Sequence, residues 1–134
     1  MGSIVVGYVA KPEGRAALRR AVEEARFRGF KLVVVSSQRG GRPLATEDAS
    51  ASDAELKAVH AELTDAGVEH EIREVIRVSD IADDLITVAA EVDADFIVIG
   101  LRRRSPLGKL ILGSSAQRVL LDAPCPVLAV KSGE

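Results

Sequence analysis

The sequence predicts an α/β fold, a three-layer sandwich in which a doubly wound parallel sheet lies between two layers of helices. The first supporting observation is a set of short, mostly apolar runs rich in Val and Ile, which are typical of strands buried on both faces of a sheet. The second is that stretches with apolar residues at helical spacing alternate with these runs. Such alternation requires right-handed parallel crossovers. We expect one domain over residues 1–134, since a chain of 134 residues can bury a core of its own.

Five segments have the composition of strands. Most are continuously apolar, but the third alternates polar and apolar side chains, as expected of an edge strand with one solvated face. The fourth is expected to end abruptly at Gly100, because glycine follows its last β-branched residue. The predicted strands are residues 4–9, 32–35, 68–77, 96–99 and 126–130.

Four segments between the strands carry apolar residues at helical spacing. The first follows residues 11–14 and ends before Gly29, a common C-terminal stop. The second begins at residues 52–55, which have the spacing of a capping box, and ends before Gly67. The last two helices are predicted over residues 79–92 and 114–121.

Composition excludes several classes of function. Eighteen basic and twenty acidic residues give a net charge of −2, which supplies no general attraction for nucleic acid. Aromatic residues make up only 3% of the chain, too few for a base-stacking surface. No apolar run could span a bilayer, and the first residues do not resemble a signal peptide, so we expect a cytoplasmic protein without membrane contacts.

Metal, redox and hydrolytic chemistry are not predicted. The lone Cys125 cannot form an internal disulfide, and we interpret it as a buried, inert thiol. His60 and His70 adjoin no nucleophile motif and are expected to be surface or half-buried residues. Neither a G-x-G-x-x-G loop, a Walker loop nor a G-x-S-x-G elbow occurs in the sequence. We therefore assign no catalytic residue and no metal ligand.

A ligand site is expected where the winding of the sheet reverses. In doubly wound sheets, ligands bind beyond the carboxyl ends of strands at such a point. The segments to consider follow Val9, Val35 and Ile99. After the last of these the chain runs into a predicted helix, whose first amides, around Ser114 and Ser115, could hold a phosphate.

Basic residues between the fourth strand and the last helix strengthen this preference for an anion. The alternative is that Ser114 caps its helix with the help of Gln117, and that the basic side chains are simply solvated. The sequence alone leaves both interpretations open. The basic residues are Arg102, Arg103, Arg104 and Lys109.

The chain resembles the universal stress protein family over nearly its whole length, and four segments carry this resemblance. They are residues 4–8, residues 94–100, the turn at residues 112–114 and residues 123–130. The resemblance implies a parallel sheet of order 3-2-1-4-5 flanked by four helices. It also implies a homodimer formed through the last strand, for which residues 127–131 are the expected interface.

Members of this family that bind ATP share a glycine-rich pattern that this chain follows in part. Gly100, Gly113 and Ser114 match its spacing, but Arg103 stands where the pattern has a second glycine. An aspartate that follows the first strand in those members, on the ribose and metal side of the nucleotide, corresponds here to Val9.

Two further positions complete the site that the resemblance implies. Ala116 replaces a small hydroxyl residue, and Ser37 corresponds to the residue whose backbone meets the adenine. The resemblance therefore implies a weak or degenerate site for AMP, cyclic AMP or ATP, with Mg²⁺ present only if ATP is bound. The candidate binding residues are Val9, Ser37, Gly100, Arg102, Arg103, Gly113, Ser114 and Ser115.

The favoured function is a small stress-response protein that binds or senses a nucleotide and catalyses no reaction. One alternative is a slow ATP hydrolase or an autophosphorylating protein with Ser114 or Ser115 as acceptor. The other is a ligand-free dimer that acts through protein partners. Residues 37–51, rich in Gly, Ser and Arg, are predicted to form a long loop and would supply its contact surface from Gln38 onward.

Overall fold

The computed structural model describes residues 2–39, 53–77, 81–101 and 113–132. In these ranges strands and helices alternate strictly, as the sequence predicts. The elements are β1 (Ser3–Gly7), α1 (Pro12–Arg28), β2 (Lys31–Arg39), α2 (Asp53–Asp65), β3 (His70–Arg77), α3 (Ile81–Glu91), β4 (Phe96–Leu101), α4 (Ser114–Asp122) and β5 (Val127–Lys131).

The five strands form one sheet of order β3-β2-β1-β4-β5, in which every neighbouring pair is parallel. The predicted fold class and strand order are thus confirmed. β1 lies at the centre, where Ile4, Val5 and Val6 are completely buried. Because successive strand residues point to opposite faces, Ile4 and Val6 pack with α1 and α2, whereas Val5 packs with α3 and α4.

α1 and α2 end at the glycines where the sequence predicts that they end. Gly29 ends α1 with a positive φ of 69°, and its N–H donates to the carbonyl oxygen of Ala25. Gly67 follows α2 with a φ of 72°. Glycine adopts this left-handed conformation without the penalty that a Cβ imposes. Among the described residues, no helix is long and apolar enough to cross a membrane.

Several predicted strand boundaries were wrong, among them the start of β3, which lies at His70 and not at residue 68. β2 continues through Ser37 to Arg39, where a loop was expected, because its register with β3 extends to the pair Arg39 and Arg77. β4 likewise continues through Gly100, which pairs with a residue of β5. Pairing with a neighbouring strand outweighs polar or glycine composition in both cases. β1 ends earlier than predicted, at Gly7, and the N–H of Lys11 then closes a turn on Val9.

Other predictions fall outside the described residues. They are the remainder of the long loop at residues 40–51, the capping residue Ser52 and the start of the third helix at residues 79–80. Arg102, Arg103 and the rest of residues 102–112 also fall there.

β5 forms one edge of the sheet. Leu128 and Val130 pack against the buried cluster on the α1 side, whereas Ala129 is exposed. A Leu128→Asp change would therefore disturb the core of the protomer. It is not a clean probe of an edge-to-edge contact.

Two glycines let the first turn of α1 pack closely on the ends of β1 and β4. A Cβ at Gly14 would clash with the backbone of Val9, and a Cβ at Gly100 would clash with the carbonyl oxygen of Glu13. Backbone cannot move aside as a flexible side chain can. These contacts fix the start of α1 against the sheet.

Gly14→Ala tests this packing because two effects oppose each other. Gly14 lies within α1, where helix propensity alone predicts a gain of about 1 kcal/mol from alanine. The clash with Val9 predicts instead a loss of about 1–3 kcal/mol in the free energy of unfolding. Urea denaturation should give the loss.

Arg19→Ala is the matched control, since Arg19 is an exposed residue of the same helix. It should change the free energy of unfolding by no more than about 0.5 kcal/mol. A stabilised Gly14→Ala variant would show that the close approach is not rigid.

Candidate functional site

A cavity of about 110 Å³ opens at the carboxyl ends of β1 and β4. These strands are neighbours in the sheet, and their crossovers run to opposite faces, so the cavity lies where the winding reverses. Val9, Gly100 and Ser115, three of the predicted binding residues, meet here. The lining consists of Gly7, Val9, Glu13, Gly14, Ile81, Leu85, Ile99, Gly100, Ser115, Ala116 and Val119.

The walls of the cavity are mainly apolar. α3 contributes Ile81 and Leu85, and α4 contributes Ala116 and Val119. Among the described lining residues, Glu13 and Ser115 are those with polar side chains. The volume is below the range of about 300–1,000 Å³ that is common for pockets holding a whole small ligand. It fits an apolar part of a ligand, such as one face of a base or a sugar, whose remainder extends outward.

The start of α4 borders this cavity through Ser115. Its N-cap is Gly113, with extended backbone angles (φ −71°, ψ 168°) and no side-chain capping bond, and the N–H of Gln117 donates to the Gly113 carbonyl oxygen at 3.0 Å. The interpretation of Ser114 as the cap was wrong, since Ser114 is the first helical residue and is exposed. The N–H groups in the first turn of a helix attract anions.

Comparison with known proteins identifies the family. The model of the universal stress protein family matches residues 1–131. A universal stress protein of Mycolicibacterium smegmatis is 48% identical over 129 residues, which is 96% of each chain. The chain belongs to the universal stress protein family. The resemblance stated from the sequence is thereby confirmed.

Solved structures of universal stress proteins have the same fold. One from Archaeoglobus fulgidus matches with a TM-score of 0.79 and 39% identity, covering 98% of this chain and 99% of its own. A second, also from Archaeoglobus fulgidus and solved in complex with dAMP, has a TM-score of 0.74 and 34% identity, covering 98% of each chain.

The other predicted binding residues of this universal stress protein are placed differently. Ser37 lies in β2, where its Cα pairs with that of Val75. Gly113 and Ser114 precede Ser115 at the start of α4 but are not part of the lining. Of the eight predicted residues, two belong to residues 102–112, outside the described ranges.

Sequence reasoning missed the walls that α1 and α3 supply. Gly14 was placed before the first predicted helix, whereas it lies in the first turn of α1. A glycine within a helix can indicate close packing against a neighbouring element. The helical spacing of Leu85 and Ile81 in the sequence indicates only an apolar helix face. Only the position of α3 against the sheet brings them to the cavity. Glu13 gave no signal in the sequence.

An ion pair supports the wall formed by α3 and α4. A guanidinium nitrogen of Arg118 lies 2.7 Å from a carboxylate oxygen of Asp83. Asp83 and Asp84 also occupy the first turn of α3, where negative charge complements the helix dipole. This partly exposed ion pair thus links the two helices that carry the apolar lining.

The described lining does not fit a magnesium site built by the protein alone. Magnesium is bound through one or two carboxylates together with waters and substrate phosphates. Among the described lining residues Glu13 is the carboxylate, and Val9 stands where the ATP-binding pattern has aspartate. Elsewhere in the described ranges, no group of three or more His, Cys, Asp or Glu side chains comes together.

Cys125 lies apart from the cavity. It is half-buried, and desolvation, followed by the nearby charge of Asp95, raises the pKa of its thiol. A raised pKa lowers the fraction of reactive thiolate at neutral pH. This agrees with the interpretation of Cys125 as an unreactive thiol.

Proposed function

We propose that this universal stress protein binds adenine nucleotides weakly and serves as a nucleotide-dependent binding module in the stress response, without catalytic turnover. The observation that carries the proposal is the apolar cavity between the ends of β1 and β4, with the first turn of α4 at its border. Its ligands are AMP, cyclic AMP or ATP.

The two parts of the site suit the two parts of a mononucleotide. The apolar walls, including Leu85 and Val119, accept an uncharged ring, while the start of α4 at Ser115 accepts a phosphate. The candidate phosphate residues are Gly113, Ser114 and Ser115, with Arg102 or Arg103 supplying positive charge. The dAMP complex of the Archaeoglobus fulgidus protein supports the choice of an adenine nucleotide.

Mg-ATP should be a poor ligand. With Val9 in place of aspartate, one acceptor for a ribose hydroxyl or a magnesium-bound water is missing. A lost hydrogen bond to a charged group costs about 1.5–3 kcal/mol, or roughly tenfold to a hundredfold in affinity. In this proposal, Mg²⁺ binds to the protein only together with ATP.

Catalysis finds less support than binding. Phosphoryl transfer depends on a positioned metal ion and a group that orients the nucleophile. Among the described cavity residues, Glu13 is the titratable side chain, and the lining offers no second carboxylate for a metal ion. A slow ATP hydrolase, or autophosphorylation on Ser114 or Ser115, remains the alternative that a turnover assay would test.

A homodimer through β5 is part of the proposal. The N–H of Ile97 donates to Pro126 on one side of the ladder, and the N–H of Ser132 donates to Leu101 at its end. Because donors alternate along a strand, the N–H of Ala129 points away from β4, toward the outer edge. An open edge of this kind can pair with its copy about a two-fold axis.

The domain boundaries and the cellular location of the protein stay predictions. We infer that residues 1–134 act as one domain, in agreement with the single sheet that joins all the described strands. We also propose a cytoplasmic location.

Ala116→Leu tests whether the cavity is the binding site. The larger side chain should fill much of the space beside Leu85 and lower the affinity for AMP at least about tenfold, since one apolar side chain changes binding by roughly 1–3 kcal/mol. Ala61→Leu is the matched control on the exposed surface of α2 and should bind AMP like the parent. Titration calorimetry with AMP, cyclic AMP and ATP, with and without Mg²⁺, measures the effect.

Equal AMP affinity in the parent and in Ala116→Leu would place the ligand elsewhere. Absence of binding to all three nucleotides in the parent would favour the ligand-free dimer. Tight, magnesium-dependent ATP binding by the parent would contradict the degenerate site.

Val9→Asp tests the reason for weak Mg-ATP binding. The new carboxylate restores an acceptor at the end of β1 and should raise the affinity for Mg-ATP by roughly tenfold to a hundredfold. Val9→Asn is the matched control, because an amide of the same shape carries no charge for a metal-bound water. If both variants bind Mg-ATP equally well, the gain does not come from the carboxylate.

Ala129→Pro tests the dimer. Proline removes the outward N–H of an edge strand while leaving the donors that face β4 in place, so the variant should shift sedimentation from dimer to monomer. Circular dichroism of the variant should match the parent, which separates loss of pairing from loss of fold. A parent protein that sediments as a monomer at high micromolar concentration would contradict the dimer.

A further inference from the structure

Two histidines from different elements meet at the surface. His60 lies on the exposed side of α2 and His70 is the first residue of β3, at the edge of the sheet. Nδ1 of His60 lies 2.7 Å from Nε2 of His70, and the ring centroids are 4.8 Å apart. Neither residue lines the cavity described above.

The backbone fixes which nitrogen of His70 carries a hydrogen atom. Nδ1 of His70 lies 2.8 Å from the carbonyl oxygen of Val68, which can only accept a hydrogen bond. Nδ1 therefore carries the hydrogen, and in the neutral ring Nε2 presents its lone pair toward His60. Histidines that bind metals are usually oriented in this way, by donating their other N–H to a carbonyl or a carboxylate.

We propose that His60 and His70 form a surface site for one divalent transition-metal ion of the class that imidazole prefers, such as Zn²⁺. Metal–nitrogen bonds of about 2.0–2.1 Å at a tetrahedral angle separate two imidazole nitrogens by about 3.3–3.4 Å. The nitrogens must therefore move apart by only about 0.6–0.7 Å from their present positions. Because His60 is exposed, a side-chain rotation provides this change.

When both rings are neutral, the exchange of the hydrogen bond for two metal bonds releases no net proton. In the neutral pair, Nδ1–H of His60 donates to Nε2 of His70. On metal binding, His60 gives this proton to water and takes one from water at Nε2. Both nitrogens that face each other then donate lone pairs to the metal, and water molecules complete its coordination.

A bound ion would join α2 directly to the edge of the sheet. The two ligands are separated by the turn that contains Gly67, so the ion would close a short loop. Since the site exists only in the folded chain, metal binding should raise the thermal midpoint of unfolding.

The test uses Zn²⁺ alone, added to chelator-treated protein without nucleotide at pH 7.5. Titration calorimetry should show one saturable site, and differential scanning calorimetry should show a higher midpoint that EDTA reverses. His60→Gln and His70→Gln should each lower the affinity at least about tenfold, since even the loss of a partner of a metal ligand costs that much. Cys125→Ser, which removes the other soft ligand, should bind like the parent.

A second measurement detects the bound metal without relying on a change in the stability of the protein. With Ni²⁺ as a paramagnetic probe, the ring resonances of both histidines should broaden together. Zn²⁺ affinity that is unchanged in the two glutamine variants, binding that disappears in Cys125→Ser, or the absence of a saturable site in the parent would each overturn the proposal. The last of these results would leave the pair as a hydrogen bond only.

Discussion

The close contact between the first turn of α1 and the ends of β1 and β4 is the constraint on which the rest of this structure depends. Gly14 lies against the backbone of Val9, and Gly100 lies against the carbonyl oxygen of Glu13. With a side chain at either position, α1 would have to lift away from the sheet. The site between β1 and β4 would then lose one of its walls, so packing and binding depend on the same two glycines.

The cavity forms because the chain leaves the neighbouring parallel strands β1 and β4 toward opposite faces of the sheet. α1 leaves β1 toward one face, and α4 follows β4 on the other, so their starts cannot both cover the ends of the strands. α3 fills only part of the gap, with Leu85 packed close to Gly7. What remains is an apolar recess bordered by a helix start, which suits a ligand that is part ring and part anion.

Substitution at single positions changes the chemistry of such a site without changing the fold. The family assignment rests on the whole chain, through a match over residues 1–131 and 48% identity to a mycobacterial relative. The expectation of weak Mg-ATP binding rests instead on Val9 and on the nature of the cavity lining. Family and ligand are therefore separate conclusions, because one substitution can remove a hydrogen bond to the ligand while the packing of the fold stays the same.

The sequence by itself determined the alternation of strands and helices and the central position of β1, because a parallel strand that is buried on both faces is a continuous apolar run. It also determined the family, through the four segments that resemble it. It also located three cavity residues, Val9, Gly100 and Ser115, since strand ends define the site in this topology. Only the tertiary structure decided that Ser114 does not cap α4 and that Leu85 faces the cavity. Those facts depend on how helices sit against the sheet, and contacts between residues far apart in the chain have no local signature.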